Sequence, residues 1–119
     1  MGQHSCCRVL HVDDDPDIRE AVRSILEEEG YLVTSACNGE EGLRVLDTMD
    51  RPCIILLDLM MPVLDGWGFL RQMQRTPAVA TIPVAITTAY DTQAAALHLT
   101  VLRKPFVLES LLDTIAHHC

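Results

Sequence analysis

Cys53-Ile54-Ile55-Leu56-Leu57-Asp58-Leu59-Met60-Met61-Pro62 is an apolar run that ends in a carboxylate and is then broken by proline. Its β-branched residues and its lack of polar alternation read as a strand buried on both faces, the kind that lies inside a parallel sheet. Asp58 then stands at the carboxyl end of that strand. Ligands of open α/β sheets bind outside the carboxyl ends of the strands, so the acid is a candidate site, against the plainer reading of a turn cap. The rest of the chain decides between the two.

Upstream, Arg8-Val9-Leu10-His11-Val12 is a short β-branched strand that runs into Asp13-Asp14-Asp15-Pro16. Pro16 suits the first turn of a helix, with Asp15 or Asp14 as its cap. Ile18, Ala21, Val22, Ile25 and Leu26 keep to one helical face, and Gly30 stops the helix. Tyr31 to Ala36 reads as a second strand, and Asn38-Gly39 turns into a helix from about Glu40 to Met49. Downstream of Asp58, Asp65-Gly66 is turn chemistry, and Trp67 to Gln74 is a short helix in which Trp67 serves packing. Val84-Ala85-Ile86-Thr87-Thr88 is a fourth strand that ends in hydroxyls. Leu99 to Arg103 is a fifth, closed by Lys104-Pro105, and Leu108, Leu111, Leu112, Ile115 and Ala116 repeat a helical face. Strands alternating with helices predict an α/β three-layer sandwich, a five-stranded parallel sheet with helices on both faces.

The 119 residues make one domain, residues 1–119, and the 49% hydrophobic content is that of a globular chain. Nine Lys and Arg stand against 17 Asp and Glu, a net charge of −8. That balance disfavours direct contact with nucleic acid phosphates and with anionic membrane surfaces. No apolar run is long enough to span a bilayer and the first residues do not read as a signal peptide, so the expected location is cytoplasmic. The five cysteines are odd in number and contain no CxxC pair, so neither a disulfide framework nor a zinc site is expected. His4, Cys6 and Cys7 near one end and His117, His118 and Cys119 near the other match no ordinary metal-ligand spacing.

Right-handed crossovers return every strand in one direction, so the carboxyl ends share one edge. There the chain places Asp13 and Asp14, then Asp58, then Thr88, then Lys104. Crowded carboxylates either take up protons or share a cation, and hard oxygen donors favour Mg²⁺, commonly together with a phosphate. A hydroxyl and an ammonium suit phosphoryl oxygens. The chemistry implied is transfer of a phosphoryl group onto a carboxylate.

The ordered set Val12-Asp13-Asp14-Asp15-Pro16, Leu57-Asp58-Leu59-Met60-Met61-Pro62, Asp65-Gly66, Thr87-Thr88-Ala89 and Lys104-Pro105-Phe106 resembles the receiver domain of two-component response regulators, of the chemotaxis-regulator type. The resemblance spans Arg8 to about His117 and implies a flavodoxin-like sheet of order 2-1-3-4-5. By position it implies that Asp58 is the phosphoacceptor, fed by a histidine kinase or a histidine phosphotransfer protein in a phosphorelay. It further implies that Asp14 and Asp58 ligate Mg²⁺ directly, with the backbone carbonyl of Met60 as third ligand and Asp13 acting mainly through water. Thr88 resembles the switch hydroxyl, Lys104 the residue that pairs with an acyl-phosphate oxygen, and Lys104-Pro105 the family's cis peptide. Such a domain catalyses its own phosphoryl transfer and autodephosphorylation without being a conventional turnover enzyme, and it controls a downstream protein or output domain. Thr87 and Thr88 are adjacent and only one can face the edge; register with the family selects Thr88.

Three departures qualify the resemblance. The family's aromatic switch position falls on Val101. The interval from Thr88 to Lys104 is shorter than usual by about one and a half helical turns of 3.6 residues, which predicts a shortened fourth helix near Thr92 to His98. Output through another surface, such as that of the first and last helices, or ordering of the short segment on binding, follows as an expectation. Met60 and Tyr90 are bulky at positions flanking the path of the attacking water, which predicts slow loss of phosphate. A receiver-like interaction module that works without phosphorylation is the alternative; a small Mg²⁺-dependent phosphatase ordinarily has a second Asp where this chain has Met60. No Gly-rich phosphate loop supports nucleotide binding.

Overall fold

The structure, a computed structural model, describes residues 7–89 and 99–119. Its elements in chain order are β1 (Arg8–Val12), α1 (Pro16–Glu28), β2 (Leu32–Ala36), α2 (Gly39–Thr48), β3 (Ile54–Asp58), α3 (Gly66–Gln74), β4 (Val84–Thr88), β5 (Thr100–Arg103) and α4 (Leu108–His117). The strands form one parallel sheet in the order β2-β1-β3-β4-β5, as the resemblance implied. The predicted short helix between β4 and β5 lies outside the described residues.

Local chemistry sets the helix starts. The Asp15 carboxylate accepts from the N–H groups of Asp17 and Ile18 at 2.9 and 3.4 Å, and Pro16 follows it, so Asp15 rather than Asp14 caps α1. Asn38 caps α2 by accepting from Glu41 N–H at 2.8 Å. Asp65, read as part of a turn, also caps α3, accepting from Gly68 N–H at 2.8 Å. Gly30, with φ of 94°, ends α1 in the left-handed region that favours glycine. Tyr31 belongs to that helix end, because its N–H donates to the Leu26 carbonyl, and β2 therefore starts one residue later than predicted.

β3 is buried along its whole length. Strand alternation sends Ile55 and Leu57 to a cluster with Leu46 of α2 and Phe69, Leu70 and Met73 of α3, against which Trp67 packs. Ile54 and Leu56 go to the opposite cluster, with Val22 and Leu26 of α1 and Leu111 and Ile115 of α4. The sheet is thus the middle layer between helix pairs α2/α3 and α1/α4. No helix among the described residues is long and apolar enough to cross a membrane.

The cysteines depart from expectation. Cys7, just before β1, is disulfide-bonded to Cys119, just after α4, across a sequence separation of 112. Spacing along the chain gives no sign of a pair so far apart, and only the fold brings the two together.

Candidate functional site

Asp13 follows β1 directly and is fully buried, while Asp14 beside it is exposed and Asp58 closes β3 at 4% exposure. The turn that carries them is held from several sides. Asp13 N–H donates to the Ala36 carbonyl at 3.1 Å, Asp15 N–H donates to Asp13 Oδ1 at 2.9 Å, and Arg19 Nη1 donates to the Asp13 carbonyl at 2.7 Å. Asp13, Asp14 and Asp58 each offer a carboxylate oxygen, all within 4.8 Å of one another. This is the hard-oxygen donor set that suits Mg²⁺.

Lys104 arrives from the other side of the sheet. Its backbone N–H donates to the Thr88 carbonyl at 2.8 Å, and the Lys104–Pro105 peptide is cis. Its Nζ donates to Asp13 Oδ2 at 2.7 Å and stands 3.4 Å from Asp58 Oδ2. One ammonium therefore bridges two of the three acids. Burial alone would pull the Lys104 pKa down, but the hydrogen bond and charge of Asp13, with Asp58 adding to them, outweigh it and hold the pKa above the ordinary value. Burial pushes the Asp58 carboxyl up; the Lys104 ammonium and the Met60 N–H, which donates to Asp58 Oδ1 at 3.2 Å, pull against that rise.

The loop from Leu59 to Asp65 shapes the approach to Asp58. Val63 has φ of 71°, a left-handed conformation costly for a β-branched residue. Met60 and Val63 are 64% and 74% exposed, so the rim beside the acids is apolar. At Gly66 an added Cβ would lie 2.6 Å from the Asp58 carbonyl oxygen and 2.8 Å from Leu59 Cα. Only glycine lets α3 start that close to the end of β3.

Two buried residues had no role in the sequence reading. His11 has no exposed surface, its Nε2 stands 3.9 Å from Asp13 Oδ2, and neither ring nitrogen has a hydrogen-bond partner. Burial lowers its pKa to about 4, with the Asp13 charge opposing the drop. The signal was present, since residues two apart on a strand share a face and His11 precedes Asp13 by two. Thr87 is the other. It is paired in register with Asp58 and its hydroxyl is buried without a partner. Thr88, one step further along β4, is 2% exposed. Val101 packs against the α2/α3 cluster, and Tyr90 lies outside the described residues.

The model of the response regulator receiver domain matches residues 9–116, the sheet and all four described helices. The chain is a response regulator receiver domain. It is 40% identical over 114 residues to the response regulator MprA of Mycobacterium leprae, covering 91% of this chain and 49% of that relative. The receiver domain thus spans about half the length of that relative. Among solved structures, the Vibrio cholerae chemotaxis protein CheY4 is similar with a TM-score of 0.85 and 30% identity, covering 95% of this chain and 98% of that one. A response regulator receiver protein from Pseudomonas putida has a TM-score of 0.85 at 26% identity, covering 93% and 96%. As a receiver domain the chain is a switch component of two-component signalling.

Proposed function

We propose that this receiver domain takes a phosphoryl group onto Asp58 from the phosphohistidine of a histidine kinase or a histidine phosphotransfer protein, with Mg²⁺ as cofactor. The observation that carries the reading is the grouping of Asp13, Asp14 and Asp58 within 4.8 Å, bridged by Lys104. In the transfer, an Asp58 carboxylate oxygen forms the new O–P bond as the N–P bond of phosphohistidine breaks, and the departing imidazole takes up a proton. Lys104 favours the ionised form of Asp58 against its burial before transfer and afterwards pairs with a phosphoryl oxygen. Asp14, Asp58 and the Met60 carbonyl would hold Mg²⁺ directly, and Asp13 would act on it through water. Bound there, the ion would neutralise negative charge on the transferring group. Thr88 is the hydroxyl that moves toward the phosphoryl group.

Phosphorylation shifts a population between two conformations, and a downstream protein or output domain reads the shift. Val101 means that an aromatic ring swinging behind Thr88 is not the relay. An apolar groove of about 230 Å³ between α1 and α4, lined by Ile18, Ile25, Phe106 and Leu108 and reaching Lys104, supports docking on that face.

The test is incubation with acetyl phosphate and Mg²⁺, followed by intact mass over time. The expected result is one phosphoryl adduct that requires Mg²⁺, is lost in Asp58→Ala and persists beyond seconds. No adduct on the wild-type chain would favour an interaction module that works without phosphorylation.

A further inference from the structure

At the edge of the sheet opposite Asp58, three sulfur atoms meet. Cys7 precedes β1, Cys53 precedes β3, and Cys119 follows α4. One sulfur from each lies within 4.8 Å of the others. Cys7 and Cys119 form the disulfide, with Cα atoms 5.7 Å apart, and Cys53 Sγ stands 3.0 Å from Cys119 Sγ. Backbone pairing holds the site, since Leu32 N–H donates to the Cys7 carbonyl and Cys53 N–H to the Arg8 carbonyl. The members differ in access: Cys7 is buried, Cys53 partly buried and Cys119 exposed.

We propose that these cysteines form a reversible oxidation site in which Cys119 is attacked by a hydroperoxide and Cys7 and Cys53 are alternative partners for its disulfide. The exposed Cys119 thiolate takes an oxygen from the hydroperoxide, giving a sulfenic acid and releasing water or an alcohol. The thiol of Cys7 or Cys53 then displaces the hydroxyl as a second water, and the S–S bond forms. The two thiols have together lost two electrons to the peroxide. Interchange between the links needs no further oxidant. The Cys53 thiolate attacks Cys119 Sγ, and Cys7 leaves as a thiolate that takes the proton Cys53 gave up. The Cys53 thiol donates a hydrogen bond to the Arg8 carbonyl at 3.2 Å, which fixes its sulfur beside Cys119. Burial pushes that thiol up, which keeps Cys53 largely protonated between exchanges.

The test uses the full chain with Cys6→Ser and Cys37→Ser, so that only Cys7, Cys53 and Cys119 remain. The protein is reduced, desalted, treated with hydrogen peroxide, alkylated and mapped by peptide sequencing without reduction. The expected product is monomeric, carries one disulfide and one alkylated thiol, and contains both Cys7–Cys119 and Cys53–Cys119 linkages. In Cys7→Ala the Cys53–Cys119 link forms alone, and in Cys53→Ala the Cys7–Cys119 link forms alone. Cys119→Ala is oxidised more slowly by about tenfold, because the exposed thiol is gone. The map of this three-cysteine protein serves even if a further variant fails to fold, because in the fully oxidised monomer the fraction of Cys7 alkylated must equal the fraction of Cys53 in disulfide. Hydrogen exchange adds a second readout: the His118 and Cys119 amides, which donate to the Ile115 and Ala116 carbonyls, exchange faster once reduced. A predominant Cys7–Cys53 link, links only between molecules, or equal exchange in both redox states overturns the proposal.

Discussion

His11 carries a pH dependence into the buried floor of the site. Its imidazole is fully buried and without hydrogen bonds, so desolvation of the cation outweighs attraction to Asp13 and the pKa falls from 6.5 to about 4. The folded state therefore binds fewer protons than the unfolded state between those values. Stability from this group is fully present above pH 6.5 and is lost as pH falls toward 4. A shift of that size corresponds to about 3 kcal/mol, at 1.36 kcal/mol per unit. His11→Leu removes the buried polar atoms at similar volume, so at pH 7 its urea midpoint should equal or exceed that of the wild type. Between pH 6.5 and 4 the wild type should lose about 3 kcal/mol more than the variant. Equal slopes in the two proteins would place the acid sensitivity elsewhere.

The junction of β3 with α3 is where one element positions another, and Gly66 is its tightest point. A methyl group at residue 66 meets backbone, at 2.6 Å from the Asp58 carbonyl oxygen, so the strand end must move. Gly66→Ala is expected to lower stability by about 2 kcal/mol, the scale of overpacking in a close-packed interior. It should also slow phosphorylation of Asp58 by acetyl phosphate, because the displaced segment carries the acceptor and the Met60 backbone. Urea unfolding and the rate of phosphoryl adduct formation measure the two effects, and a variant unchanged in both would show that the junction yields without cost. This junction also marks how far the sequence could be read. The strand of apolar residues and the acids at its edge were legible, because hydrophobic runs and motif order are properties of neighbours along the chain; the sheet order came only from the family resemblance that those motifs carry. Asp65 was readable as a turn but its cap on α3 was not, since a turn and a helix start share the same residue types. The spacing of His11 from Asp13 put the two on one face, but the full burial of the ring and the lone hydroxyl of Thr87 were hidden, because they depend on what the facing helices leave open.

At the scale of the whole molecule, the sulfur site is the feature least visible in the sequence, and it changes the unfolded state more than the folded one. A cross-link between Cys7 and Cys119, 112 residues apart, restricts the unfolded chain by about 5 kcal/mol in the loop-entropy account. The alternative link closes a separation of 66. Loop entropy depends on the logarithm of length, so the ratio of 112 to 66 leaves the two links about half a kcal/mol apart. Chain entropy therefore barely distinguishes them, and local fit at the start of β1 and β3 decides their ratio. Reduction of the protein with Cys6→Ser and Cys37→Ser should lower the thermal midpoint markedly. Oxidised Cys53→Ala, which retains the longer link, should unfold within a few degrees of the oxidised parent. Cys119→Ala, which can form neither link to Cys119, should unfold below the oxidised parent when no reductant is present. Calorimetry in both redox states measures this, and a Cys119→Ala variant as stable as the oxidised parent would mean that the link constrains little of the unfolded chain.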